Sequence, residues 1–146
     1  MSQIHIESLQ SISDNQQQNI NQLIHQLNPD LSPTTTDHTQ KIIDHSNSFL
    51  ITAQTDDQQI VGMIFFTYFP QPIGKNKAMI EDFVVEKSFR KMGIGRKLME
   101  FAVNKAKSLN CNYIELTSNA NRCEANDFYK KNGFIFRETN CYRKEI

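Results

Sequence analysis

The stretch Ile80-Glu81-Asp82-Phe83-Val84-Val85-Glu86-Lys87-Ser88-Phe89-Arg90-Lys91-Met92-Gly93-Ile94-Gly95-Arg96-Lys97-Leu98 decides how the rest of the chain is read. It begins as an apolar strand, passes through a turn bearing Arg90, Gly93 and Gly95, and opens a helix. A strand that feeds a glycine-bearing turn into a helix N-terminus aims several free backbone N–H groups at one point, which suits a phosphate. Lys87, Arg90, Lys91, Arg96 and Lys97 fall here, in a chain whose 16 basic and 16 acidic residues otherwise cancel. Positive charge is therefore focused on this turn. The third glycine of a dinucleotide fingerprint and the Gly-Lys-Ser/Thr of a P-loop are both missing, so neither nucleotide fold is expected.

Outward from this stretch, the chain reads as a strand at Ile4 and Ile6, followed by a helix capped by Ser13 or Asp14. Ile20, Leu23, Ile24 and Leu27 line one stripe of that helix, and Asn28-Pro29 ends it. A polar connection leads to a short helix over Asp37–Asp44. Phe49–Thr55 and Ile60–Phe69 form a hairpin about the turn 56–59. A Pro- and Gly-broken loop precedes the buried strand Ala78–Val85. Leu98, Phe101, Ala102, Ala106 and Leu109 stripe the next helix. Cys111–Thr117 alternates like a strand, Arg122–Asn132 reads as a helix with Gly133 at its C′ position, and Phe134–Phe136 with Asn140–Arg143 read as a closing pair of strands. The order β-αα-βββ-α-β-α-ββ predicts a single α/β (α+β type) domain over residues 1–146, a mixed, mostly antiparallel sheet with helices on both faces.

The totals narrow the function classes. A length of 146 residues suffices for a core without disulfide staples. A pI near 6.9 argues against bulk attraction to nucleic acid or anionic membrane. Cys111, Cys123 and Cys141 lack C-x-x-C spacing, and His5, His25, His38 and His45 are scattered, so neither a disulfide framework nor a metal site is expected. Reduced thiols fit a cytoplasmic protein. No apolar run is long enough to span a bilayer.

Val84-Val85 followed by Arg90-x-x-Gly93-x-Gly95-x-x-Leu98 resembles the acyl-CoA signature of the GNAT superfamily of N-acetyltransferases. Arg122-x-x-Ala125-x-x-Phe128-Tyr129-x-x-x-Gly133-Phe134 resembles that family's second motif, in the same order and with a family-like spacing. The resemblance is strong over Ile80 to Phe134. It implies acetyl-CoA as cosubstrate, no metal, and a small-molecule or peptide amine as acceptor. Dimers are common among proteins similar to it. It further implies that the backbone of Phe83, Val84 and Val85 pairs with the pantetheine arm, and that Arg90, Lys91, Met92, Gly93, Ile94, Gly95 and Arg96 hold the pyrophosphate. Asn126 would lie along the cosubstrate, and Tyr129 would protonate the departing thiolate.

Glu81 is the candidate general base for the incoming ammonium, since a carboxylate just before the CoA segment could take its proton. Adjacent strand residues point to opposite faces, so Glu81 and Asp82 cannot both face the substrate; the family resemblance favours Glu81, which would leave Asp82 structural. A CoA-binding sensor of the same fold, without turnover, is the competing reading. A nucleic-acid-binding domain using Lys87 to Lys97 is a weaker one.

Overall fold

The nearly continuous buried runs at Leu50–Gln54 and Ile60–Ile64 suit strands covered on both faces, and the chain arranges them in a meander. The computed structural model describes residues 2–146, which group into two compact units, one running through Leu116 and the other over Thr117–Ile146. The first unit holds β1 (His5–Ser8), α1 (Asp14–Leu27), α2 (Thr36–Asp44), β2 (Ser48–Gln54), β3 (Ile60–Pro70), β4 (Asn76–Val85), a 3-10 turn over Lys87–Phe89, α3 (Ile94–Ser108) and β5 (Tyr113–Leu116). The second holds α4 (Cys123–Lys131).

Strand order in the five-stranded sheet is sequential, β1-β2-β3-β4-β5, with antiparallel pairs as far as β4 and a parallel β4–β5 pair. The parallel pair requires a crossover, and α3 supplies it. Met63 and Gly62 are neighbours on β3 and so face opposite ways. Met63 joins Leu9, Ile12, Ile20, Leu23, Leu50 and Val84 in one core layer, with Ile24 and Ile43 packed on it, which places α1 and α2 on that face. A Cβ at Gly62 would meet Leu98 Cδ1 at 3.0 Å and Ile94 Cγ2 at 3.5 Å, so α3 lies on the other face. Ile51, Ile64, Phe66, Ile80, Leu98 and Met99 are its buried residues. Each such side chain contributes about 1.5–3 kcal/mol by leaving water.

Helix starts follow local chemistry. Ser13 Oγ accepts from the Gln16 amide (3.2 Å) while Gln16 Oε1 accepts from the Ser13 amide (3.1 Å), a reciprocal cap. Thr35 Oγ1 caps α2 by accepting from the His38 amide (3.1 Å).

In the second unit, Gly133 follows α4 with φ 86°, as its C′ position requires. The Phe134 amide donates to Tyr129 O (3.0 Å), completing the cap. The closing strands expected at Phe134–Phe136 and Asn140–Arg143 do not form. Phe134 is committed to the helix cap, and Ile135, Phe136 and Tyr142 are 85–87% exposed. Alternation predicts which face a strand buries, not that a partner strand is there to pair with it.

Candidate active site

The stretch quoted at the outset becomes one continuous strand, turn and helix within the first unit. The β4–β5 pairing ends at Ile80 opposite Leu116, yet β4 runs on to Val85. From Glu81 to Val85 the β5 strand no longer pairs with it, so this edge of β4 has no partner strand. An unpaired strand edge recognises an extended ligand through its backbone. The expected pantetheine segment, Phe83, Val84 and Val85, occupies this edge.

At the fork the strand is irregular. Met63 pairs with Val84 and Phe65 with Glu81, so β4 carries one extra residue between these pairs, a bulge containing Asp82 and Phe83. Asp82 has φ 51°, in the left-handed region, where a residue with a Cβ is strained but Asp is better tolerated than most. Strict alternation therefore stops at Glu81. Glu81 and Asp82 are both exposed. Although exposed, the Asp82 carboxyl is crowded by protein, and this desolvation raises its pKa above the ordinary 3.8. No side chain among the described residues hydrogen-bonds or ion-pairs with it.

Beyond Val85 the turn enters α3 through an N-cap that carries no side chain. Gly93 is the N-cap of α3, with φ 78° and no side-chain cap, in contrast to the Ser13 and Thr35 caps. A Cβ there would meet nothing within 4 Å, so glycine is needed for its backbone angle and not for space. The first amides of α3, at Ile94, Gly95 and Arg96, have no acceptor within the helix, and the helix dipole favours negative charge beside them. Lys91 (φ 63°), Met92 and Gly93 are exposed, while Ile94 is buried and anchors the turn. Arg90 Nε donates to Val85 O (3.0 Å) and so braces the turn against the end of β4. Arg96 Nε lies 3.0 Å from Glu100 Oε1, an exposed i,i+4 pair worth a few tenths of a kcal/mol that an anion could readily displace.

Three features had no signal in the sequence. Gln26, near the end of α1, donates through Nε2 to Glu86 and accepts from the Lys87 amide (3.1 Å), tying α1 to the start of the turn. Beside it lies a cleft of about 690 Å³, lined by Asn21, His25, Leu31, Pro33, Gln59 and Phe89 among others. The polar connection after α1 thus lines a cavity. The bulge also lacked a signal, having no glycine to mark it.

Within the second unit, Asn126 and Tyr129 stand one turn apart on α4. Asn126 Nδ2 donates to Asn119 O (3.1 Å), holding the segment before the helix. Tyr129 is buried, with Phe128 and Phe134 rings edge-on to it at 6.0 and 5.9 Å. Burial pushes its hydroxyl above the ordinary 10, with the Arg122 charge pulling the other way, so it carries its proton at neutral pH.

Among the described residues no helix is long and apolar enough to cross a membrane, and no three His, Cys, Asp or Glu side chains cluster as metal ligands. The family model described as acetyltransferase (GNAT) family matches residues 15–134. No curated protein matches the sequence. Solved structures with the same fold include an aminoglycoside acetyltransferase from an uncultured soil metagenomic sample (19% identity, 98% of this chain and 95% of that one, TM-score 0.81). Another is glucosamine-6-phosphate N-acetyltransferase from Arabidopsis thaliana (20% identity, 97% and 98% coverage, TM-score 0.81). A third is an integron cassette protein from the mobile metagenome of V. cholerae (25% identity, 99% and 93% coverage, TM-score 0.79).

Proposed function

Because the chain belongs to the acetyltransferase (GNAT) family, we propose that it transfers an acetyl group from acetyl-CoA to a primary amine by direct attack on the thioester. One observation carries this reading: β4 continues for five residues beyond its pairing with β5 and runs, through a turn, into a helix without a side-chain cap. A strand edge without a partner strand and the first amides of a helix, joined by a single turn, suit a ligand with an extended amide-bearing arm and a pyrophosphate.

In this mechanism Phe83, Val84 and Val85 pair with the arm through their backbone. The amides of Gly93 to Arg96 take the pyrophosphate, with Lys91 and Met92 flanking them. Glu81 accepts the ammonium proton, directly or through water. A backbone N–H at Val84 or Val85 stabilises the oxyanion, and Tyr129 returns a proton to the sulfur. Acetyl-CoA supplies the activated acyl group, while the protein supplies proximity and proton transfers. The names of two similar structures, which act on an aminoglycoside and on glucosamine 6-phosphate, support a small-molecule amine as acceptor. The reaction takes place in the cytoplasm and needs no metal, nucleic acid or membrane.

The test is to follow thiol release from acetyl-CoA with glucosamine, spermidine, kanamycin and an N-terminal alanine peptide. Amine-dependent release supports the reading. Tight CoA binding with no release on any amine favours a sensor instead.

A further inference from the structure

Resting on the acetyltransferase reading, we propose that Gln26 is a positioning residue for CoA: its carboxamide, reaching across from α1, holds the turn between β4 and α3 in place for the pyrophosphate. The carboxamide bonds two adjacent residues of the turn. Its Nε2 donates to the Glu86 carboxylate, and its Oε1 accepts from the Lys87 amide at 3.1 Å. Lys87 opens the 3-10 turn, and Glu86 before it supplies no side-chain cap. The first amides of a helical turn have no acceptor within it. Gln26 supplies that acceptor from an element 60 residues away in sequence. Two bonds to neighbouring residues fix both the place and the rotation of the carboxamide, so the link resists twisting as well as separation.

Little else holds this part of the chain. The Glu86 amide donates to Val61 O at 2.8 Å, and beyond it the backbone of residues 87–92 makes backbone-to-backbone bonds only within the turn, among the described residues. No residue between Val84 and Ile94 is fully buried. Glu86, Ser88 and Phe89 border the cleft of about 690 Å³, so a core does not press on the turn from that side. The bond from Arg90 Nε to Val85 O, at 3.0 Å, joins two parts of the same segment. Gln26 ties the segment to a different element. Because Gln26 is itself exposed, its bonds add little to global stability. What they set is position. Without them a ligand that spans the edge of β4 and the first amides of α3 must order the turn as it binds, which weakens binding.

The experiment compares the full wild-type chain with Gln26→Met and Glu86→Gln. Met matches Gln in length and helix propensity but offers no N–H and only a weak acceptor. Gln at 86 keeps a carbonyl oxygen for the Gln26 amide. In Gln26→Met the Lys87 amide should exchange its hydrogen about tenfold faster or more, while the Glu86 amide, bonded to Val61 O, keeps its rate. The Kd for CoA, read by calorimetry, should rise about fivefold or more. KM for acetyl-CoA should rise with it, while kcat and KM for the amine stay within about twofold. Tm should stay within about 2 °C. Glu86→Gln should bind CoA within about twofold of wild type.

Unchanged Lys87 exchange or unchanged CoA affinity in Gln26→Met overturns the assignment. So does a weakening in Gln26→Met that is matched by a large fall in Tm, or an equal weakening in Glu86→Gln, which would make the charge at 86 and not the carboxamide link the cause. The binding measurements separate this proposal from the transferase reading. A wild type that binds CoA in a Gln26-dependent way but turns over no amine sinks the transferase reading and leaves Gln26 in its role. A wild type that acetylates an amine while Gln26→Met binds CoA equally well sinks the role of Gln26 alone. A wild type that binds no CoA overturns both.

Discussion

Tyr129 shows how a single residue's environment sets its chemistry. As the proposed acid, Tyr129→Phe should lower kcat by about 10²-fold or more, with CoA affinity little changed, as initial rates and calorimetry would show. Its raised pKa also gives a stability signature. The folded chain holds the phenol proton to higher pH than the unfolded chain does. The contribution is present in full below about pH 10 and is lost as pH rises through the higher folded value. Between pH 9 and 11 the wild-type Tm should therefore fall faster than that of Tyr129→Phe. Cysteine reactivity is set in the same way. Cys111 is half-buried, and desolvation raises its thiol above 9.0, whereas Cys123 and Cys141 are exposed. Iodoacetamide followed by peptide mass mapping should label Cys123 and Cys141 first. Tyr129 was readable as a candidate through its place in the second motif, and Glu81 through its place just before the CoA segment and the family resemblance. The bulge containing Asp82 was not readable, because it breaks the alternation that a local pattern assumes.

At the scale of elements, the junctions of α3 are the sensitive points. Gly93→Ala adds a Cβ in open space but at φ 78°, and should destabilise by about 1 kcal/mol in urea melts. Its effect on CoA affinity should be larger than that stability loss suggests, because it alters the turn that aims the helix amides. Gly62→Ala fails for a different reason. Its Cβ would lie 3.0 Å from Leu98 Cδ1 and 3.4 Å from Val84 O, and Leu98 is fully buried with no room to swing. A loss of about 1–3 kcal/mol is expected from this overpacking. The helices were legible because apolar spacing and caps are local. The end of the chain was misread because a strand needs a partner. Phe134 was drawn into the cap of α4, and its successors stand in solvent.

For the molecule as a whole, ligand linkage provides the broadest check. A CoA concentration about 100 times its Kd should add roughly 2.7 kcal/mol to stability, seen as a rise in Tm that grows with the logarithm of concentration. With 16 positive and 16 negative residues, that rise should depend on salt only through the local turn, not through a steep many-ion slope. The order of elements through α4, the two motifs, the strand–turn–helix over residues 80–98 and the family resemblance were all readable in the sequence. Each rests on spacing along the chain, and spacing survives without knowledge of neighbours. Tertiary structure alone decided where β5 stops beside β4, the bulge at Asp82, the bond from Gln26 to Glu86 and the cleft beside it. Those depend on which strand edge is left without a partner strand and which carboxylate loses its water. Both are outcomes of packing between segments far apart in sequence, and no local pattern encodes them.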